Sequence, residues 1–124
     1  MRVEFKETEW GRVVLVNGVE VGRVVGNVVS LDIYSPQYPW EGDRLDLGWA
    51  GSLIYSRVNL GGHIMELIGH EHDGVRELVS IRIILSGEVQ EGDLASMIID
   101  VVTRYMDKEI LNLIESRGTE AGEH

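Results

Sequence analysis

From Asp93 to Arg117 the chain reads DLASMIIDVVTRYMDKEILNLIESR, with apolar residues at helical spacing, and nothing before it does. Upstream, short runs rich in valine and isoleucine are separated by turn dipeptides. Strands grouped together and then a helix describe an α+β domain. They do not describe the alternating pattern of a parallel α/β sheet. The expected fold is a curved antiparallel sheet of six or seven strands, with closure into a barrel left open, and one long C-terminal helix packed on it.

A continuous helix over 93–117 would run roughly 37 Å. A compact chain of this length is only about 35 Å across. Its apolar residues form two stripes. Leu94, Ile98, Val101, Val102 and Tyr105 make one, and Ile99, Met106, Ile110, Leu113 and Ile114 make the other. One stripe can pack on the sheet. The second has three outlets: a strongly curved sheet that buries both, a twofold dimer, or a break near Met106-Asp107-Lys108 giving two shorter helices. The reading adopted is a homodimer with Ile99, Met106, Ile110, Leu113 and Ile114 as its interface. Asp93 is the expected N-cap and Gly118 the expected stop. Residues 119–124 form an expected flexible tail.

Asn17-Gly18 lies between apolar runs and predicts a type I′ hairpin, because that turn needs positive φ at both positions. Gly26-Asn27, Gly61-Gly62 and Asp73-Gly74 predict further turns. Residues 12–34 therefore read as a three-stranded meander, with Val3-Glu4-Phe5 as a further short strand. Residues 35–51 hold both prolines with Gly42, Gly48 and Gly51, and read as a long irregular loop. The run from Val75 to Ser86 alternates. Val75, Glu77, Val79, Ile81, Ile83 and Leu85 share one expected face, which is apolar except for Glu77.

The 124 residues fit one domain, expected over 1–118 with strands within 1–87 and the helix over 93–117. Apolar residues at 44% and charged residues at 26% mark a globular composition. No apolar run approaches the ~20 residues of a membrane span, and Met1 leads straight into a strand-like pattern, so a cytoplasmic protein is expected. The absence of cysteine removes disulfides, thiolate metal sites and cysteine nucleophiles. The net charge of −10 disfavours nucleic acid and anionic membrane surfaces as partners. Arginine outnumbers lysine heavily and Gln and Asn are few, a usage that fits a heat-tolerant protein in part.

Two constellations carry possible chemistry. On a strand, His70 and His72 point to one side, and Glu77 lies across the Asp73-Gly74 turn. The three form a candidate divalent-metal or acid/base site. His70-Glu71-His72 with Glu77 resembles part of the first cupin motif, His-x-His-x4-Glu. A cupin carries a second histidine motif downstream, and here the sole later histidine is His124, so cupin membership is not expected. The second constellation is aromatic. Tyr34, Tyr38, Trp40, Trp49 and Tyr55 fall close together, and Tyr38, Trp40, Trp49 and Tyr55 are the candidate ligand or partner surface. A packed loop whose rings close one end of the sheet is the alternative. No Gly-x-Ser-x-Gly, Gly-x-Gly-x-x-Gly or P-loop motif is present.

The expected function is a non-enzymatic interaction or assembly module acting as a homodimer, with a further protein partner and no resident cofactor. The rivals are a small metal-dependent enzyme on His70, His72 and Glu77, and a ligand-binding domain on the aromatic loop.

Overall fold

The computed structural model describes residues 1–36 and 40–122, with side chains as far as Gly118. Tyr38 and the tail side chains lie outside the described residues. The elements are β1 (Val3–Thr8), β2 (Gly11–Val16), β3 (Val19–Val25), β4 (Val28–Pro36), β5 (Asp43–Asp46), a 3-10 turn (Gly48–Ala50), β6 (Ser52–Leu60), β7 (His63–His72), β8 (Val75–Ile84), α1 (Glu91–Tyr105) and α2 (Lys108–Gly122). The strands form one antiparallel sheet in the order β1-β2-β3-β4-β8-β7-β6-β5. Two four-stranded meanders thus meet at the β4–β8 seam. The sheet is open, with β1 and β5 as its edges, and not a barrel. The strand that raises the count to eight is β5, inside the stretch expected to be irregular.

The turn dipeptides work as their chemistry requires. Asn17 and Gly18 have φ of 50° and 80°, and Asp73 and Gly74 have 51° and 78°. Positive φ at both central residues matches the twist of the flanking strands, so each pair closes a tight hairpin.

One face of the sheet is sealed, and it is called the inner face below. Val14, Val29, Leu31, Ile33, Leu78, Ile81 and Ile83 are fully buried there, with Leu94, Ile98, Val101 and Val102 of α1 packed into the same core. Burying each such side chain contributes about 1.5–3 kcal/mol. The face of β8 differs from the alternation expected for it. Leu78 is buried with Ile81 and Ile83, whereas Val75 is 57% exposed. A bulge is the cause. Leu78 pairs with Gly69 and Ser80 with Ile68, so Val79 is an extra residue and the phase slips by one. β4 is irregular at the same level, between Asp32 and Ser35, where Tyr34 takes a φ of 48°.

The C-terminal segment is two helices and not one. Met106 is extended, with φ −64° and ψ 149°. The Asp107 amide donates to the Ile33 carbonyl at 3.0 Å, a group that the β4 bulge has released from the strand ladder. The Asp107 carboxylate then accepts from the Ile110 amide at 3.2 Å and caps α2. The break changes what each apolar side chain faces. Met106 and Ile114 are buried within the monomer, Ile99 is half-buried, Ile110 packs against the core, and Leu113 alone of the second stripe is exposed, at 53%. α1 begins at Glu91 with Gln90 as N-cap, so Asp93 sits inside the first turn, where its charge suits the positive helix end.

Gly118 does not stop α2, which continues to Gly122. Its missing side chain has another use. A Cβ there would meet the Asn17 amide nitrogen at 2.4 Å. Asn17 Nδ2 donates to the Ile114 carbonyl at 2.8 Å, and its Oδ1 accepts from the Arg2 amide at 2.8 Å. One turn residue therefore ties the start of β1, the β2–β3 hairpin and α2 together.

Candidate functional site

The other face of the sheet, called the outer face, carries no helix, and its register sorts the side chains into lines across the strands. Arg57, Glu66, Arg82, Ser30, Arg23, Val13 and Lys6 are successive pairing partners, so Arg57, Arg82, Arg23 and Lys6 fall on one transverse line. Two residues along the strands, Asp43 pairs with Tyr55, Tyr55 with Ile68, Ile68 with Ser80 and Ser80 with Asp32. Glu20 and Glu4 continue that line beyond it, each paired with Leu15. On the opposite side of the cationic line, Ile64, Ile84, Val28 and Val25 are successive partners. The outer face is thus striped: aliphatic, cationic, anionic. Because β-strand side chains alternate, residues two apart share a face, and strand pairing alone places these charges side by side.

Glu66 is the buried charge on the outer face. It accepts from the Tyr55 hydroxyl and from Arg82, whose Nε and Nη2 lie 3.0 and 2.8 Å from Oε1. The Tyr55 hydrogen bond first, and then Arg82, hold the Glu66 carboxyl below its ordinary range against the opposing effect of burial. The same bond pushes the Tyr55 phenol up. Asp32 is raised by desolvation first, with Arg23 opposing and Glu20 adding to the shift, which places those three charges within reach of one another.

Trp40 covers the inner face where β7 carries Gly69. Trp40 is 9% exposed and lies over Gly69, where a Cβ would come within 2.3 Å of the indole. Its backbone carbonyl accepts from Arg76 at 2.7 Å. Arg76 and Arg44 both bind Glu71, Arg44 through two parallel contacts of 2.8 and 3.2 Å. Hydrogen bonds from Arg44 and then Arg76 hold the Glu71 carboxyl down to about 2. Among the described residues the buried indole nitrogen of Trp40 meets no hydrogen-bond partner.

His70 and His72 project from the outer face of β7 and stack, with ring centroids 6.2 Å apart and planes 10° from parallel. Each spends a ring nitrogen on the 3-10 turn: His70 Nε2 lies 2.6 Å from the Ala50 carbonyl and His72 Nε2 3.0 Å from that of Trp49. A carbonyl only accepts, so both rings carry a proton on Nε2. Glu77 pairs with His70 across β7 and β8. Among the described residues no group of three or more His, Asp or Glu is assembled to hold a metal. The geometry gives the two histidines a local task, which is pinning the turn that displays Trp49.

Among the described residues, Trp40, Trp49 and Tyr55 do not converge. Trp40 covers the inner face, Tyr55 lies on the outer face against Glu66, and Trp49 stands at the β5 end, 92% exposed. Leu45 and Leu53, paired across β5 and β6, are 60% and 39% exposed nearby. No helix among the described residues is long and apolar enough to cross a membrane. The residues missed by the sequence reading are Arg23, Arg57, Arg82, Glu66 and their neighbours on the outer face. They lie far apart in the chain, and no local pattern joins them. Set against family models, curated proteins and solved structures, the chain matches none of them.

Proposed function

We propose that the chain is a non-enzymatic interaction and assembly module that works by self-association through the outer face of its sheet. The observation that carries this reading is that uncovered face, on which Val28, Ile64, Ile68 and Ile84 are only partly exposed and Val25 is 52% exposed. A sheet of this many strands is roughly 34 Å wide at ~4.8 Å per strand spacing. With three to four residues of each strand in contact, that is on the order of 400 Å² of flat area, and more once side-chain relief is counted. A specific interface buries about 800 Å² per partner, so most of the face has to take part.

Two further features support the reading. Charged and titratable side chains hold structure: Glu66 is bound by Tyr55 and Arg82, Glu71 by Arg44 and Arg76, and one ring nitrogen each of His70 and His72 by a backbone carbonyl. The helix stripe expected to mediate a dimer has also lost Met106 and Ile114 to the monomer core, which leaves Leu113 as its exposed member.

Size-exclusion chromatography with light scattering tests the reading. A dimer is expected, dissociated by Ile84→Lys on the outer face and left intact by Leu113→Glu on α2. A wild-type monomer at high concentration defeats the proposal. Dissociation by Leu113→Glu with none by Ile84→Lys moves the contact to the helices.

A further inference from the structure

Building on the self-association reading, we infer that two copies dock outer face to outer face about a twofold axis that runs along the charged lines, between the cationic and the anionic one. The inference rests on register. Arg57, Arg82, Arg23 and Lys6 share one transverse line with the buried Glu66 among them; Asp43 and Asp32 share the next, and Glu20 and Glu4, both paired with Leu15, flank its far end beyond the β2–β3 bulge. Adjacent lines are about 6.7 Å apart, two residues along a strand. A twofold axis lying in the contact plane and parallel to the lines, midway between them, exchanges the two. Each cationic line then lies over the partner's anionic line. The strand on which a residue sits is unchanged by that rotation, so Arg23 meets the region of the partner's Glu20 and Lys6 meets that of the partner's Glu4.

The alternatives are electrostatically poor. A twofold axis along the strands sets arginine line over arginine line, and like charges facing across an interface weaken association. Pairing through the sheet edges meets charges as well. β5 is four residues long and carries Asp43, Arg44 and Asp46, and β1 carries Glu4, Lys6 and Glu7. Such short or charged edges oppose strand addition. With a net charge of −10 on each copy, contact without matched lines is repulsive. The arrangement matches Arg23 with the partner's Glu20 and Lys6 with the partner's Glu4 twice over, as an isologous contact must, while Arg57 and Arg82 lie over the partner's Tyr55 and Ser80. It is more favourable than a nucleic acid on the cationic line, because Glu66 and the adjoining acids face any phosphate placed there.

Charge exchange tests this. Arg23 and Glu20 are both exposed, and neither supports the core. Arg23→Glu and Glu20→Arg are each expected to weaken wild-type dimerisation by roughly tenfold or more, through like charges facing across the axis. An equimolar mixture of the two variants is expected to regain wild-type affinity, because each new charge then meets its opposite. Light scattering and sedimentation equilibrium read all three, with circular dichroism confirming the fold of each variant. Dimers of undiminished affinity in both single variants overturn the docking while leaving self-association in place. Weakened singles with no recovery on mixing overturn it equally. A monomeric wild type, or one that binds a single-stranded oligonucleotide through Arg23 in place of a second copy, removes the docking and the self-association reading together.

Discussion

The two faces of the sheet bury their residues by different means. On the inner face, aliphatic side chains of the strands meet those of α1, and exclusion from water is complete at Leu31, Ile81, Ile83 and Ile98. On the outer face one carboxylate among the described residues, Glu66, is buried, and it is tolerated because a phenol and a guanidinium satisfy it. A buried charge left unpaired is costly, so the outer face gains from its network mainly by avoiding a penalty. The inner face gains from volume filled. The difference teaches where the fold is held and where it is free to be read by another molecule.

Substitutions can break this contrast. The largest effect is expected from Leu31→Ala, at the centre of the inner face, with a loss of about 2–5 kcal/mol in urea unfolding. Glu66→Ala is expected to cost less, about 1–2 kcal/mol, because Arg82 is half-exposed and water takes over its hydrogen bonds. Equal losses for the two would show the outer face to be as sealed as the inner one, and the contrast would fail. The smallest effect belongs to Glu71, whose carboxyl is held near 2 from an ordinary 4.5. A carboxyl depressed in the folded state stabilises fully above its unfolded value, and that contribution is lost as pH falls through the folded one. The stability gap between wild type and Glu71→Gln should therefore be widest above pH 4.5 and close towards about 2. A gap independent of pH over that range would show that the arginines do not depend on the charge of Glu71.

The legible part of the fold was its local part. Asn17-Gly18 and Asp73-Gly74 announce their hairpins because the turn type is fixed by the residues in it. The class, strands and then helices, follows from the apolar period. Two features were illegible because they depend on distant pairing, and a third, the helix break, was one of several open alternatives. β5 has a charged sequence and exists through its pairing with β6. The phase slip at Val79 arises where β8 meets two neighbours whose register shifts. The helix break needs the Ile33 carbonyl as acceptor, although Asp107 three residues before Ile110 was a capping signal in plain view. The apolar period runs on through the break, so the sequence places a break near Met106-Asp107-Lys108 beside a continuous helix without deciding between them.

The site shows the same division. Closeness in sequence misled for the aromatics, since Trp40 and Tyr55 end on opposite faces. His70 and His72 do share a face, as strand alternation requires, and one ring nitrogen of each, Nε2, is engaged by the Trp49–Ala50 backbone. The charged lines of the outer face join Lys6 to Arg82 and could be seen only once the register was known.

The junction at Asp107 has a kinetic consequence. With its own cap, and with its anchorage through Ile110, Leu111, Ile114 and Asn17 separate from that of α1, α2 is expected to unfasten as a unit while α1 stays seated. The C-terminal amides then form an opening unit of their own, exchanging with solvent ahead of those of α1 and the central strands.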